Sequence, residues 1–177
     1  MIGFLFPEVC NQQGDQGYKD WLEINGVSTR VVEGELPTGL AGLVVGDVSE
    51  QGSAVLESLL ANHWLISEIE NGLTVLAIGR SGQIISKIIG VKHFIGSQKS
   101  QYVNTEFQDK PVYGFINGRY DLDNLIVESL VGKGRLINCA LLGPVGIVNP
   151  WFEKYCFDIE TASREDLTDH YRKLVSD

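Results

Sequence analysis

Val75-Leu76-Ala77-Ile78-Gly79-Arg80-Ser81-Gly82-Gln83-Ile84-Ile85 is the stretch on which the reading of this chain turns. Leu73 to Ile78 form the short continuous apolar run of a strand buried on both faces. Gly79 then provides a tight turn, and the residues after it open a helix. Strand, sharp turn and helix in that order is the layout on which α/β enzymes mount a nucleophile. Here the turn offers Gly79 and Arg80, and neither attacks a carbonyl as Cys or Ser does. The setting of a reactive site is present, and its reactive atom is missing.

Working toward the N-terminus, Asn71-Gly72 stops a long helix that Ser49 caps and that is predicted to run through Ile69. Val55, Leu56, Leu59, Leu60 and Trp64 share one face of it. Leu40 to Val45 is a third strand ending at Gly46-Asp47, Val27 to Val32 a second, and Ile2 to Phe6 a first, stopped by Pro7. Asn11 to Gly17 reads as a loop whose Asp15 caps a helix bearing Tyr18, Trp21 and Leu22, with Asn25-Gly26 as its stop. That loop has neither the Lys and Ser/Thr of a Walker sequence nor the GxGxxG spacing of a dinucleotide site. Alternating strands and helices predict an α/β fold: a three-layer sandwich with a mostly parallel central sheet and helices on both faces.

The second half changes character. From Val91 to Leu142 the apolar runs are short and broken by Gly, Asn and Asp, which predicts several short, partly antiparallel strands with turns at Asp109-Lys110-Pro111 and Asn117-Gly118. Asn149-Pro150 precedes a helix near Trp151 to Phe157, and Ser163 caps a last helix carrying Leu167, Tyr171 and Leu174. No repeat, low-complexity tract or linker divides the 177 residues, so a single domain over 1–177 is expected, large enough to bury its core without disulfides or metals.

Charge and cysteine usage narrow the function classes. A formal charge of -9 with no local Lys/Arg cluster repels phosphate backbones and anionic membrane surfaces, so neither nucleic acid nor membrane is an expected partner. The sequence has no run of about 18 apolar residues and no basic-then-apolar leader, which predicts a cytoplasmic location. Cys10, Cys139 and Cys156 are odd in number with no CxxC pair, and His63, in a helical stretch, His93 and His170 form no HxH or HExxH spacing. No metal site and no cofactor is expected, and the cysteines read as small buried apolar residues.

Four separated segments, in order, resemble the class I glutamine amidotransferase domains of the cobyric acid synthase (CobB/CobQ) type. The resemblance is greatest to the GatD-like subunits that pair with the Mur-ligase-like protein MurT. The segments are Leu5-Phe6-Pro7-Glu8 with Asn11, Gly14-Asp15 and Gly17; Val75 to Ile78 with Gln83; Gly114-Phe115 with Asn117; and Gly143-Pro144 with Asn149-Pro150. Together they span nearly the whole chain. The resemblance implies extra strands attached to a doubly wound, flavodoxin-like sheet. It also implies a nucleophilic Cys where this chain has Gly79, a catalytic His where it has Leu142, and a glycine-rich oxyanion loop where it has Gly46-Asp47-Val48.

These departures bear directly on function. Without the nucleophile the covalent route is lost, an aliphatic Leu142 moves no proton, and an acidic Asp47 opposes an oxyanion. Cys10, at the end of the first strand, is a remote replacement nucleophile with no His in sequence company, and Cys139 is predicted to point away from Leu142. Three functions follow as expectations. The first is a non-catalytic subunit that binds a Mur-ligase-like or other synthetase partner, with cell-wall precursor amidation as its setting and Trp21, Trp151 and Phe152 as interface candidates. The second is a sensor of glutamine, a carboxylate or a phosphate, using Gly46, Asp47, Arg80, Ser81 and Gln83. The third is an active amidotransferase with a rebuilt centre. Arg80 is alternatively a solvent-exposed residue or a partner of Asp47 or Glu50. Self-association stays open.

Overall fold

The computed structural model describes residues 1–10, 12–93, 95–143 and 145–162, with backbone alone over 12–15. The predicted helix beginning at Ser163, with His170, lies outside the described residues.

β1 (Ile2–Leu5), β2 (Thr29–Val32), β3 (Gly42–Val45), β4 (Thr74–Ile78), β7 (Ile126–Val131) and β8 (Gly134–Cys139) form one sheet in the order β2-β1-β3-β4-β8-β7. All neighbours are parallel except the β7–β8 pair. A second, two-stranded antiparallel sheet pairs β5 (Ser97–Phe107) with β6 (Lys110–Tyr120). The α/β sandwich expected from the alternation is therefore what the chain forms. The strand order reverses around β1, which makes the carboxyl ends of β1, β3 and β4 the crevice where open α/β sheets place their sites.

Strand alternation sorts the core into two layers. Ile2, Phe4, Val44, Leu76, Ile78, Ile137 and Cys139 face α1 (Gln12–Ile24), α5 (Trp151–Phe157) and the β5–β6 hairpin. Leu5, Leu43, Val45, Val75, Ala77 and Leu136 face α2 (Glu50–Leu59), α3 (Trp64–Glu70) and α4 (Arg80–Ile89). Helices and hairpin thus cover both faces.

Several local expectations are corrected. The helix capped by Ser49, whose Oγ accepts the Gly52 N–H at 3.0 Å, is two helices. His63 lies in the break at φ 57, not in a helix. Leu56 and Leu60 bury completely while Val55 and Leu59 stay exposed, so one continuous face would have wrapped away from the sheet; the break lets α3 re-aim Leu65 and Ile69 inward. The Asn11–Gly17 loop is mostly helix, since α1 starts at Gln12 and contains Asp15, which therefore does not cap it. Asn117 and Gly118 are not a turn but lie inside β6; the hairpin turns at Gln108 and Asp109, both at positive φ, so the turn expected at Asp109-Lys110-Pro111 falls one residue earlier, with Lys110 and Pro111 already in β6. With eleven residues in each strand, β5 and β6 are not short.

Candidate functional site

Because β3 and β4 are adjacent and parallel, with Val45 opposite Ala77, their carboxyl ends deliver Gly46-Asp47 and Gly79-Arg80 side by side. Gly79 sits at φ 64, ψ -130, a conformation L side chains rarely adopt and the strained backbone of an elbow between strand and helix. Its N–H donates to the Cys139 carbonyl at 2.7 Å, tying the turn to β8. The next N–H, of Arg80, donates to Asp47 Oδ1 at 2.8 Å. A Cβ built on residue 79 would overlap Asp47 Oδ1, 2.6 Å from its Cγ and 3.0 Å from its Cβ. Asp47 thus fills the space where a side chain on the elbow would begin. It also takes the N–H that, in acyl-transfer elbows, faces the developing oxyanion.

The electrostatics match this placement. Burial raises the Asp47 carboxyl above its usual value, and the N–H groups of Arg80 and Val48, with the Arg80 charge, hold it part of the way back. Tyr120 is raised as well, first by burial and then by the nearby Asp47 charge.

An open cleft of about 1030 Å³ lies over the elbow. Its walls are Asp47, Val48, Glu50, Arg80 and Gln83 on the sheet side, Ile95, and Gln98, Asn117, Gly118, Arg119 and Tyr120 from the hairpin. Asp47, Arg80 and Gln83 thus line one cleft, with Gln83 Nε2 donating to the Arg119 carbonyl at 3.1 Å. Ser81 and Gly46 do not. Ser81 is fully buried, its hydroxyl 2.8 Å from Ile78 O and 3.0 Å from Val45 O, so it braces the elbow from within; Gly46 is buried and outside the cleft lining. Arg80 pairs with Asp47 through its backbone, whereas its guanidinium forms no ion pair within 4 Å among the described residues. The hairpin wall escaped the sequence reading because Asn117-Gly118 reads as a turn. The usable signal was the period-two pattern on either side of Gln108-Asp109.

Leu142 follows β8, donates its N–H to the Phe115 carbonyl at 2.9 Å and packs against the hairpin-side core. Cys139 belongs to that same core. The expected opposition of the two fails because β8 ends at Cys139, so strand alternation does not continue to Leu142. A smaller hollow of about 330 Å³ beside Gly79 is lined by both His93 and Cys139. They do not form a catalytic pair: the Cys139 thiol is 1 % exposed, donates inward to the Leu141 carbonyl and is pushed up to about 12 by burial, while His93 is exposed. Cys10 is buried five residues past the end of β1, in an isolated bridge to Val48, with its Sγ 3.8 Å from the Leu5 carbonyl. Trp21 and Phe152 are core residues and not exposed interface aromatics. Among the described residues no group of three His, Cys, Asp or Glu could hold a metal ion, and no helix is long and apolar enough to cross a membrane.

The overall α/β architecture, a mostly parallel six-stranded sheet with a two-stranded antiparallel hairpin, has counterparts among solved structures. A chain of PurLQS from Thermotoga maritima superposes with a TM-score of 0.59 at 13% identity, covering 83% of this chain and 88% of that one. A glutamine amidotransferase from Thermotoga maritima superposes at 0.54 with 16% identity, covering 99% and 88%. No protein-family profile and no curated protein matches the chain. The chain therefore has a glutamine amidotransferase-like fold.

Proposed function

We propose that this protein is a degenerate glutamine amidotransferase-like subunit that binds a synthetase or ligase partner and makes no ammonia itself. The observation that carries the reading is the Asp47 carboxylate lodged at the Gly79 elbow, where it takes both the nucleophile's space and the Arg80 N–H. A carboxylate held there repels a tetrahedral oxyanion, and neither Gly79 nor Leu142 forms or breaks an acyl bond. The GatD-like character of the sequence motifs leads to a Mur-ligase-like partner, with cell-wall precursor amidation as the setting. Pure protein given glutamine is expected to release no ammonia above the blank, and the chain is expected to co-purify with an identifiable ligase-class protein. Ammonia release that disappears on substituting Cys10 or Cys139 overturns this reading in favour of a rebuilt catalytic centre.

One observation favours a second reading, in which the cleft holds a small anion. Arg80 and Arg119 both line it, and neither is ion-paired among the described residues. Calorimetry with glutamine, glutamate and inorganic phosphate tests it, and absence of heat at millimolar concentration rejects it.

A further inference from the structure

Glu153 stands in the first turn of α5, in the core on the hairpin side of the sheet, fully cut off from solvent. Its Oε1 accepts two hydrogen bonds, from the Tyr18 hydroxyl of α1 at 2.9 Å and from the Gly146 N–H at 3.0 Å, while Oε2 has no partner among the described residues. Gly146 is pressed so closely against it that a Cβ there would overlap Oε2. The titratable groups facing the carboxyl are Tyr18 from α1, Cys139 from β8 and Cys156 from its own helix. The 3-10 turn Val145–Ile147 contributes none, and no Lys, Arg or His nitrogen among the described residues comes within 4 Å. An ionised carboxylate here is a buried charge with one unsatisfied oxygen, a condition relieved either by taking up a proton or by admitting water.

The turn that Glu153 grips also holds the hairpin. Asn149 clamps the β6 backbone in both directions, accepting the Tyr113 N–H at 2.9 Å and donating to the Tyr113 carbonyl at 2.8 Å. The same Nδ2 lies 2.8 Å from the Val145 carbonyl. Upstream of the turn, Leu142 is bonded to Phe115 of the same strand. We propose that Glu153 is a proton-operated latch: uncharged, it keeps Val145–Asn149 closed on β6, and ionised, it opens that segment and loosens the hairpin wall of the cleft. Burial pushes the carboxyl up to about 7, against the pull of the Tyr18 hydroxyl and of the Glu153 and Gly146 N–H groups, which places the change near neutral pH.

Amide hydrogen exchange of residues 112–116 in the whole chain, between pH 6 and 8 and corrected for intrinsic exchange, tests the latch without any partner. Protection is expected to fall at least about threefold across that range in the wild type, and to stay flat in Glu153→Gln, which keeps an acceptor for both donors but cannot ionise. Tyr18→Phe removes a donor to the carboxylate and is expected to move the midpoint upward, so the test survives if Glu153→Gln folds poorly. A flat wild-type profile, a pH dependence that persists in Glu153→Gln, or a midpoint unmoved by Tyr18→Phe overturns the proposal.

Discussion

One face of the six-stranded sheet, under α2, α3 and α4, buries mainly aliphatic side chains. The opposite face, under α1, α5 and the hairpin, buries Tyr18, Trp21, Phe107, Tyr120, Phe152 and Phe157 together with the carboxyl of Glu153. The difference follows from how each layer is assembled. The aliphatic layer is built largely from consecutive strand-helix units, with the more distant β8 completing it against α3 and α4. The aromatic layer joins segments far apart in the chain: Tyr18 and Glu153, 135 residues apart, share a hydrogen bond. Large amphipathic rings suit such a junction, because they fill irregular space and still offer a polar tip to a buried partner. Among the buried polar groups, the carboxyl is therefore found where distant segments converge.

Truncating one residue in each layer tests that contrast most strongly. Phe152 is fully buried and touches the rings of Phe107 and Trp151, so Phe152→Ala is expected to cost about 4 kcal/mol, against about 3 kcal/mol for the equally buried Leu56→Ala. Urea unfolding followed by far-UV circular dichroism measures both. If Phe152→Ala proves the milder, the aromatic layer is the more compliant of the two and the contrast reverses.

Next in size is the pH dependence of stability. The Glu153 carboxyl is raised from 4.5 to about 7 by burial, so the folded state holds its proton more tightly than the unfolded chain. Its contribution is therefore complete below the unfolded value and is lost as pH rises through about 7. The full loss is about 3 kcal/mol. Comparing wild type with Glu153→Gln from pH 5 to 8 isolates this contribution, since Asp47 and the other carboxylates are common to both. The wild type should weaken relative to the variant as pH rises, and the opposite slope would mean that the folded state prefers the ionised form.

The sequence exposed the aliphatic layer and the elbow far better than the rest. Continuous apolar runs at Leu40 to Val45 and Leu73 to Ile78, with Ser49 and Asn71-Gly72 as helix punctuation, are local signals, and local packing honours them. The single helix expected from Ser49 to Ile69 failed because tertiary packing re-aimed its second half, which no periodicity announces. Asn117-Gly118 misled for a related reason. Gly118 packs under the Tyr120 ring, where an added Cβ would lie 2.6 Å from Cε2, so the residue serves a close approach within a strand and not a turn. At the site, the glycine at the turn after β4 was legible in the identity of residue 79. The position of the Asp47 side chain was not, because it depends on the pairing of β3 with β4.

Gly79→Ala probes that pairing directly. The residue's positive φ and the overlap with Asp47 predict a loss of about 2 kcal/mol. Shortening the neighbour removes the overlap but leaves the strain. In an Asp47→Ala background the same substitution should cost about 1 kcal/mol less, a coupling that a double-mutant cycle reads directly. Additive costs would show that Asp47 is free to swing out of the elbow, and the proposed block on oxyanion chemistry would weaken with it.

The smallest expected effect concerns the cap of α2. Ser49 Oγ accepts the Gly52 N–H at 3.0 Å, and its loss leaves one helix-end donor to water, so Ser49→Ala should cost about 1 kcal/mol. The helix end is exposed and lies on the aliphatic side, across the sheet from the Val145–Asn149 turn and the clamp on Tyr113. Amide exchange in α2 should therefore rise in Ser49→Ala while protection of residues 112–116 holds. An equal loss of protection in both would mean that the two layers open as one cooperative unit, and that the difference in their composition has no counterpart in their dynamics.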